Sequence, residues 1–236
     1  MSTVPTLAGL APPVSASLMM QLLSLVRNGV VMLTYDNPLV WAFARGWRNA
    51  QADFEGPFYM LGAPSRQIAD GKAVLASKAL LNQFSPFLFT FSVKDAKGDP
   101  VPHARFEWWQ ADSDGAYYFN TYTLRGTFTT DENGCAEAGE VRGADDTGIR
   151  VSQERRVDDG QGLREYASAD ERGKYDTGTE RAECGRWGGV FWAARTGAED
   201  EDMWRKVEWW NGRLGEEGVE KKIVAVGHVD FVLNQA

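Results

Sequence analysis

The sequence predicts a mainly β protein whose core is a β-sandwich. Short runs of apolar and aromatic residues, of strand length, follow one another from residue 84 onward and return near the end of the chain. Between these runs lie clusters of Asp, Gly, Asn and Pro, which are typical of tight turns. Short strands separated by such turns favour a sandwich of two packed sheets.

Residues 1–54 form a region of different character, which we predict to be a lead-in followed by a short helical segment. Met1–Ser15 carries three prolines, and from Ala16 to Val31 apolar residues recur at helical spacing. Asn28-Gly29 could end that helix early. Pro38 suits the first turn of a second helical stretch. Residues 55–236 are then the sandwich domain.

Four strands of the sandwich can be predicted from apolar runs and alternation. They are Phe84–Val93, Arg105–Gln110, Leu124–Thr130 and Lys222–Leu233. Turns are predicted after each of the first three strands, at Asp95–Pro100, Asp112–Gly115 and Asp131–Gly134. In the second strand, Phe106 and Trp108 fall on one face, as the two-residue period of a strand requires.

A long irregular segment is predicted around 142–186. Between Gly143 and Gly185 the only aliphatic residues larger than alanine are Ile149, Val151, Val157 and Leu163. Such a composition buries too little apolar surface to offset the entropy lost on ordering. We therefore expect a loop or disorder there.

Composition limits the partners of the protein. The net charge of −8 and the pI near 4.9 argue against a nucleic-acid surface or an anionic-membrane surface. Two cysteines make no disulfide framework. No uncharged run reaches the roughly 20 apolar residues of a membrane-spanning helix. We expect a soluble, cytoplasmic protein with no membrane association.

Several motifs occur in a fixed order between residues 55 and 131. They are Glu55-Gly56-Pro57-Phe58-Tyr59, Asp99-Pro100-Val101-Pro102, Arg105-Phe106-Glu107-Trp108-Trp109-Gln110-Ala111-Asp112, Asp114-Gly115-Ala116-Tyr117 and Leu124-Arg125-Gly126-Thr127. In this order and spacing they resemble the core of the intradiol ring-cleavage dioxygenases. The final strand, with His228-Val229-Asp230-Phe231, also resembles the strand that ends the family's catalytic domain.

The resemblance implies a function. Intradiol dioxygenases hold a non-haem Fe(III) with two tyrosines and a His-x-His pair. They cleave catechol-type rings with O₂ to muconate-type diacids, so the implied substrates are a small aromatic diol and O₂. The helical residues before the Gly-Pro-Phe-Tyr motif dimerise in the family, which implies a homodimer through the N-terminal helical segment.

Two site residues can be carried over from the family. Tyr117 stands where the first tyrosine ligand stands, although residue type alone would make it an ordinary aromatic at a strand edge. Arg186 is the candidate for the arginine near the developing anion. The second tyrosine ligand cannot be placed, because Tyr166 and Tyr175 both lie outside the family's local pattern.

The chain departs from the family at the histidines. It has only two, His103 and His228, and no His-x-His. The stretch Gly185–Phe191 stands where the family's histidine strand belongs, with Gly188 and Val190 in place of the imidazoles. We expect His103 to be a solvated turn residue and His228 a hydrogen-bonded sheet residue.

Three explanations fit a chain that has the family's motifs but lacks its His-x-His pair. The chain is an active Fe(III) dioxygenase with unforeseen ligands, or a metal-free, inactive relative that acts as a binding module or partner subunit. Alternatively, the segment 142–218 is an artefact of a misread or unspliced gene. The motifs cover about half of the chain, Glu55–Val141 and the last strand, and leave the C-terminal half degenerate or disrupted.

Overall fold

The structure is a computed structural model that describes residues 10–35, 58–84, 86–112, 114–141, 147–155, 163–170, 190–192, 201–223 and 225–233. Ten strands in this part of the chain form two sheets, which confirms the predicted β-sandwich. Three helices accompany them: α1 (Leu18–Tyr35), α2 (Lys78–Gln83) and α3 (Glu201–Glu216). The predicted division at residue 54 lies outside the described residues.

The larger sheet has six strands in the order β1-β2-β6-β3-β10-β9. Their bounds are β1 Gln67–Ala69, β2 Lys72–Val74, β6 Cys135–Val141, β3 Pro86–Asp95, β10 Ala225–Leu233 and β9 Val190–Trp192. The smaller sheet has four strands in the order β5-β4-β7-β8. Their bounds are β5 Arg125–Thr129, β4 Arg105–Gln110, β7 Thr147–Arg155 and β8 Leu163–Asp170.

Aromatic side chains fill the space between the sheets. Phe91 of β3 lies 4.9 Å from Phe106 of β4, and Phe106 stacks on Phe128 of β5 at 4.7 Å. Phe89 meets the edge of Trp108 at 5.2 Å. Burial of large rings is the main favourable term in such a core, and offset or edge contacts add to it. Phe106 and Trp108 share one face of β4, as predicted, and this face points into the core.

A second apolar cluster covers the other face of the larger sheet. Helix α3 directs Met203, Val207, Trp210 and Leu214 toward this face, at the spacing of one helical stripe. Trp210 is fully buried, and its indole N–H donates to Glu137 Oε2 at 2.8 Å. Because β3 is covered on both faces, seven of its ten residues are buried.

The prediction of a long irregular segment is wrong for residues 147–155 and 163–170. Strand β7 pairs with β4 from Arg105↔Ser152 to Gln110↔Thr147, and β8 pairs antiparallel with β7. Composition misled the prediction because β4 offers its free edge to β7, and backbone hydrogen bonds do not depend on apolar side chains. The rest of the predicted segment lies outside the described residues.

Helix α1 continues past the predicted end at Asn28-Gly29 and ends at Tyr35. The Asn28 side chain does not terminate the helix but donates to the carbonyl of Tyr59 at 3.0 Å. Gly29 is tolerated inside the helix at a cost of about 1 kcal/mol relative to alanine. The predicted second helical stretch at Pro38 lies outside the described residues.

The predicted turns are confirmed. Gly98 and Gly134 adopt φ values of 90° and 69°, in the region that favours glycine. Asp95 and Asp131 accept backbone N–H groups inside their own turns. Within the described residues, no helix has the length and apolar character needed to cross a membrane.

Candidate functional site

Tyr117 lies in the loop that connects β4 to β5. Its ring stacks on that of Phe58, with centroids 4.4 Å apart and planes 8° from parallel. Phe58 belongs to the Gly-Pro-Phe-Tyr motif, so the structure brings two of the sequence motifs into direct contact. The Tyr117 side chain is half-buried.

The beginning of this loop is held by the carboxylate of Asp112. Oδ1 accepts the backbone N–H groups of Asp114 and Ala116, both at 2.9 Å. Oδ2 accepts the hydroxyl of Tyr118 at 2.7 Å. Burial alone would raise the pKa of Asp112, but these hydrogen bonds outweigh it and keep the pKa below its ordinary value. Asp112 therefore fixes the backbone before Tyr117 and the side chain of the residue after it.

The end of the loop is held by two other side chains. The hydroxyl of Tyr122 donates to the carbonyl of Leu61 at 2.7 Å, and Arg66 Nη2 donates to the carbonyl of Tyr122 at 2.9 Å. Leu124 then adopts φ of 53°, which is strained for a residue with a bulky side chain. This conformation directly precedes Arg125, the first residue of β5.

Arg125 lies directly against the Tyr117 loop. Its guanidinium carbon is 5.5 Å from the ring centroid of Tyr117 and 5.8 Å from that of Phe119. Nη1 donates to the carbonyl of Phe58 at 2.7 Å, whereas Nε and Nη2 have no hydrogen-bond partner in the described part of the chain. The side chain is 1% exposed, and this burial lowers its pKa to about 10. Arg125 is thus a buried cation in contact with three aromatic residues.

His103 lies far from Tyr117, in the turn that precedes β4. It adopts φ of 55°, and its Nε2 lies 3.2 Å from Glu132 Oε1 with both side chains largely exposed. Tyr117 follows the other end of β4, and a strand of this length spans roughly 20 Å. The expected solvated turn position of His103 is confirmed.

His228 lies on β10, in the sheet opposite to that of β4 and β5. Its Nδ1 is 2.8 Å from Thr90 Oγ1, and its Nε2 is 3.3 Å from Asp230 Oδ1. Asp230 also accepts a hydrogen bond from Ser92. The expected hydrogen-bonded sheet histidine is confirmed, and both of its ring nitrogens already have polar contacts.

Helix α1 docks beside the site through its polar residues. Ser24 Oγ accepts the backbone N–H of Leu61 at 3.0 Å, and Arg27 lies over the ring of Tyr59 at 4.4 Å. Ser24 and Asn28 are buried. The large apolar residues of the helix are exposed instead: Leu18, Met19, Leu22, Leu23, Leu25, Val26, Val30, Met32 and Leu33.

No protein-family model matches this chain. Solved structures do match it. Catechol 1,2-dioxygenase from Pseudomonas arvilla C-1 has a TM-score of 0.53 at 19% identity, with 90% of this chain and 72% of that chain covered. 3-Chlorocatechol 1,2-dioxygenase from Rhodococcus opacus 1CP has a TM-score of 0.54 at 15% identity, with 92% of this chain and 86% of that chain covered. Hydroxyquinol 1,2-dioxygenase from Pseudomonas putida DLL-E4 has a TM-score of 0.51 at 17% identity, with 92% of this chain and 82% of that chain covered.

This chain has the catechol 1,2-dioxygenase fold. The structural match covers 90% of the chain, well beyond the half that the sequence motifs cover. The expectation of a degenerate or disrupted C-terminal half is therefore wrong at the level of the fold, since β7 and β8 take their places in the smaller sheet.

The residues present do not fit the iron site that the family resemblance implies for this catechol dioxygenase fold. That site needs two histidines beside two tyrosines, and both histidines of the chain lie elsewhere, in polar contacts of their own. Among the described residues, no cluster of three or more His, Cys, Asp or Glu side chains could hold a metal ion.

Sequence reasoning missed Arg125 and favoured Arg186, which lies outside the described residues. The Leu124-Arg125-Gly126 motif could have pointed to Arg125 as a candidate site residue. Gly126 is needed there because a Cβ would stand 2.1 Å from Arg66 Cγ, so the motif reports close packing at the start of β5. What the motif could not show is that the Arg125 side chain turns toward Tyr117.

Proposed function

We propose that this chain is a diverged member of the intradiol dioxygenase family that binds a small catechol-type aromatic compound at the Tyr117 loop. The observation that carries this proposal is the contact of Tyr117 with Phe58 and Arg125 within the catechol 1,2-dioxygenase fold. The structural neighbours are named for catechol, 3-chlorocatechol and hydroxyquinol, which are all hydroxylated benzenes.

The chemistry of the loop suits such a ligand. Phe58, Tyr117 and Phe119 offer ring faces and edges on which another aromatic ring can stack. Arg125 supplies a buried positive charge that attracts the electron-rich oxygens of a diol. A few polar groups among aromatic side chains are typical of small-molecule sites.

Ring cleavage with O₂ is a second candidate function, favoured by the position of Tyr117 in its motif. Cleavage in this family depends on Fe(III), and the described residues do not supply the family's ligands. We therefore propose ligand binding as the function that the described residues support and keep ring cleavage as the second candidate.

Titration calorimetry with catechol tests the proposal. We expect saturable binding to the wild-type chain and at least about tenfold weaker binding to Tyr117→Ala, because the stacked partner of Phe58 is removed. Trp204→Ala is the control, since it removes an exposed aromatic side chain from helix α3, which packs on the other sheet. Equal binding by Tyr117→Ala and the wild type would contradict the placement of the site.

Iron analysis of the same samples separates the two candidates. Substoichiometric iron together with catechol binding supports the binding protein. Stoichiometric iron with oxygen consumption on adding catechol supports the dioxygenase.

We also propose that α1 forms a homodimer interface. The helix docks through Ser24 and Asn28 and leaves its apolar residues in solvent, with Leu25 at 69% and Leu33 at 85% exposure. A contiguous exposed apolar stripe of this kind is typical of an interface between proteins. A second copy of the same helix offers a matching apolar face.

A further inference from the structure

Arg125 has hydrogen-bonding capacity that the protein does not use. A guanidinium carries five N–H donors and stays charged at neutral pH. In Arg125 only Nη1 has a partner, the carbonyl of Phe58, whereas Nε and Nη2 have none among the described residues. Leaving buried donors unpaired is costly, so such a group requires an explanation.

The two unused nitrogens lie next to each other on one edge of the guanidinium. Nε–H and the adjacent Nη2–H point in nearly parallel directions, and this edge matches the two oxygens of a carboxylate. A single hydroxyl or carbonyl oxygen would satisfy only half of it. The unused edge therefore has the geometry of a carboxylate-binding group.

The contrast with Arg66 shows that this is not a general property of buried arginines in this protein. Arg66 is also buried, and it donates to the carbonyls of Pro12, Tyr122 and Arg125 with distances of 2.9–3.1 Å. All three nitrogens of the Arg66 guanidinium thus donate to backbone carbonyls. Arg125 has one edge without a hydrogen-bond partner among the described residues.

Of the two rings that lie against the Arg125 guanidinium, that of Phe119 is the more exposed. It is 43% exposed, lies 5.8 Å from the Arg125 guanidinium carbon, and belongs to a bend without regular secondary structure. Its ring is also near Phe58, at 6.2 Å between centroids. An incoming aromatic ring could replace that of Phe119 against Phe58 and Arg125 while bringing an anionic group.

We infer that the Tyr117 loop is a binding site for an aromatic carboxylate, with the Nε/Nη2 edge of Arg125 as the recognition group and Phe119 as the side chain that the ligand displaces. This inference rests on the proposed aromatic-binding function and specifies its ligand class. It concerns binding only and involves no chemical step.

Benzoate and benzamide provide the matched test, because they have nearly the same size and differ in charge. Titration calorimetry should show benzoate binding about tenfold or more tightly than benzamide to the wild-type chain, the gain expected of a charge-assisted pair. In Arg125→Lys the preference should fall to a few-fold, since lysine keeps the charge without the two-nitrogen edge. Phe119→Ala should strengthen benzoate binding, because no ring needs to be displaced.

Arg105→Gln is the control variant. Arg105 lies on the neighbouring strand β4 with an exposed side chain, and we expect it to leave the benzoate preference unchanged. Circular dichroism of each variant establishes that it is folded. The wild-type ratio and the Phe119→Ala result test the inference even if Arg125→Lys does not fold.

The outcomes separate the inference from the proposed function. Equal affinity for benzoate and benzamide, with catechol still bound, would overturn the carboxylate inference and leave the proposed function standing. Failure of the loop to bind catechol, benzoate and benzamide alike would overturn both. A benzoate preference that persists unchanged in Arg125→Lys would place the recognition group elsewhere and also overturn the inference.

Discussion

The guanidinium of Arg125 and the ring of Tyr117 lie 5.5 Å apart, and each contacts Phe58. Arg125 reaches the backbone carbonyl of Phe58, and Tyr117 stacks on its ring. Three sequence motifs that are separate in the chain therefore form one aromatic and cationic cluster.

The two buried arginines should respond differently to removal. Arg125→Met loses one hydrogen bond but also removes two unpaired donors, so we expect a change in unfolding free energy of only about 1 kcal/mol. Arg66→Met leaves three carbonyls without their donor and should destabilise by about 3 kcal/mol. Urea denaturation measures both, and equal destabilisation would contradict the different roles of the two guanidinium groups.

Acid should weaken the contribution of the Asp112 carboxylate to the stability of the fold. Its pKa is lowered in the folded chain, so its stabilisation is present above the ordinary carboxylate value of about 4 and is lost as pH falls through the lower folded value. The difference in melting temperature between wild type and Asp112→Asn should be constant from about pH 5 to 8 and shrink below about pH 4. A difference that persists in acid would rule out this role of the carboxylate.

Gly126 should not tolerate a side chain. A Cβ there would lie 2.1 Å from Arg66 Cγ, and we expect Gly126→Ala to destabilise by about 1–3 kcal/mol. Gly212→Ala in helix α3 is the control, because its Cβ would meet no atom within 4 Å. That substitution should stabilise by up to about 1 kcal/mol. Thermal unfolding measures both effects, and a melting temperature of Gly126→Ala equal to that of the wild type would contradict the close packing at Gly126.

The exposed face of α1 predicts self-association. We expect the wild-type chain to sediment as a dimer and Leu25→Glu to sediment as a monomer, because a buried unpaired carboxylate is unfavourable. Val14→Glu changes an exposed apolar residue outside the helix and should leave the dimer intact. A wild-type monomer in sedimentation velocity would refute the interface.

The sequence predicts those parts of this fold that depend on local patterns. The Phe-rich run of β3 and the glycine turns at Gly98 and Gly134 follow from alternation and backbone preference. Strands β7 and β8 could not be predicted from apolar runs, because β7 forms by backbone pairing with β4 and β8 by backbone pairing with β7. The docking of α1 was likewise hidden, since its polar residues Ser24 and Asn28 face the domain.

The site was predictable only in part. Tyr117 and Phe58 both lie in recognisable motifs, although nothing in the sequence shows that their rings stack. Arg125 was missed because its burial and its unused edge depend on the path of the loop around Tyr117. Long-range side-chain contacts of this kind arise from tertiary packing and leave no periodic pattern.

Binding of a catechol-type ligand without iron is best tested by a catechol titration of the chain after treatment with an iron chelator. We predict saturable binding in the chelated sample, because the proposed site consists of Phe58, Tyr117 and Arg125 and includes no metal ion. Absence of binding in that sample, with binding restored by added Fe(III), would contradict the metal-free site and show that the chain assembles a ferric centre after all.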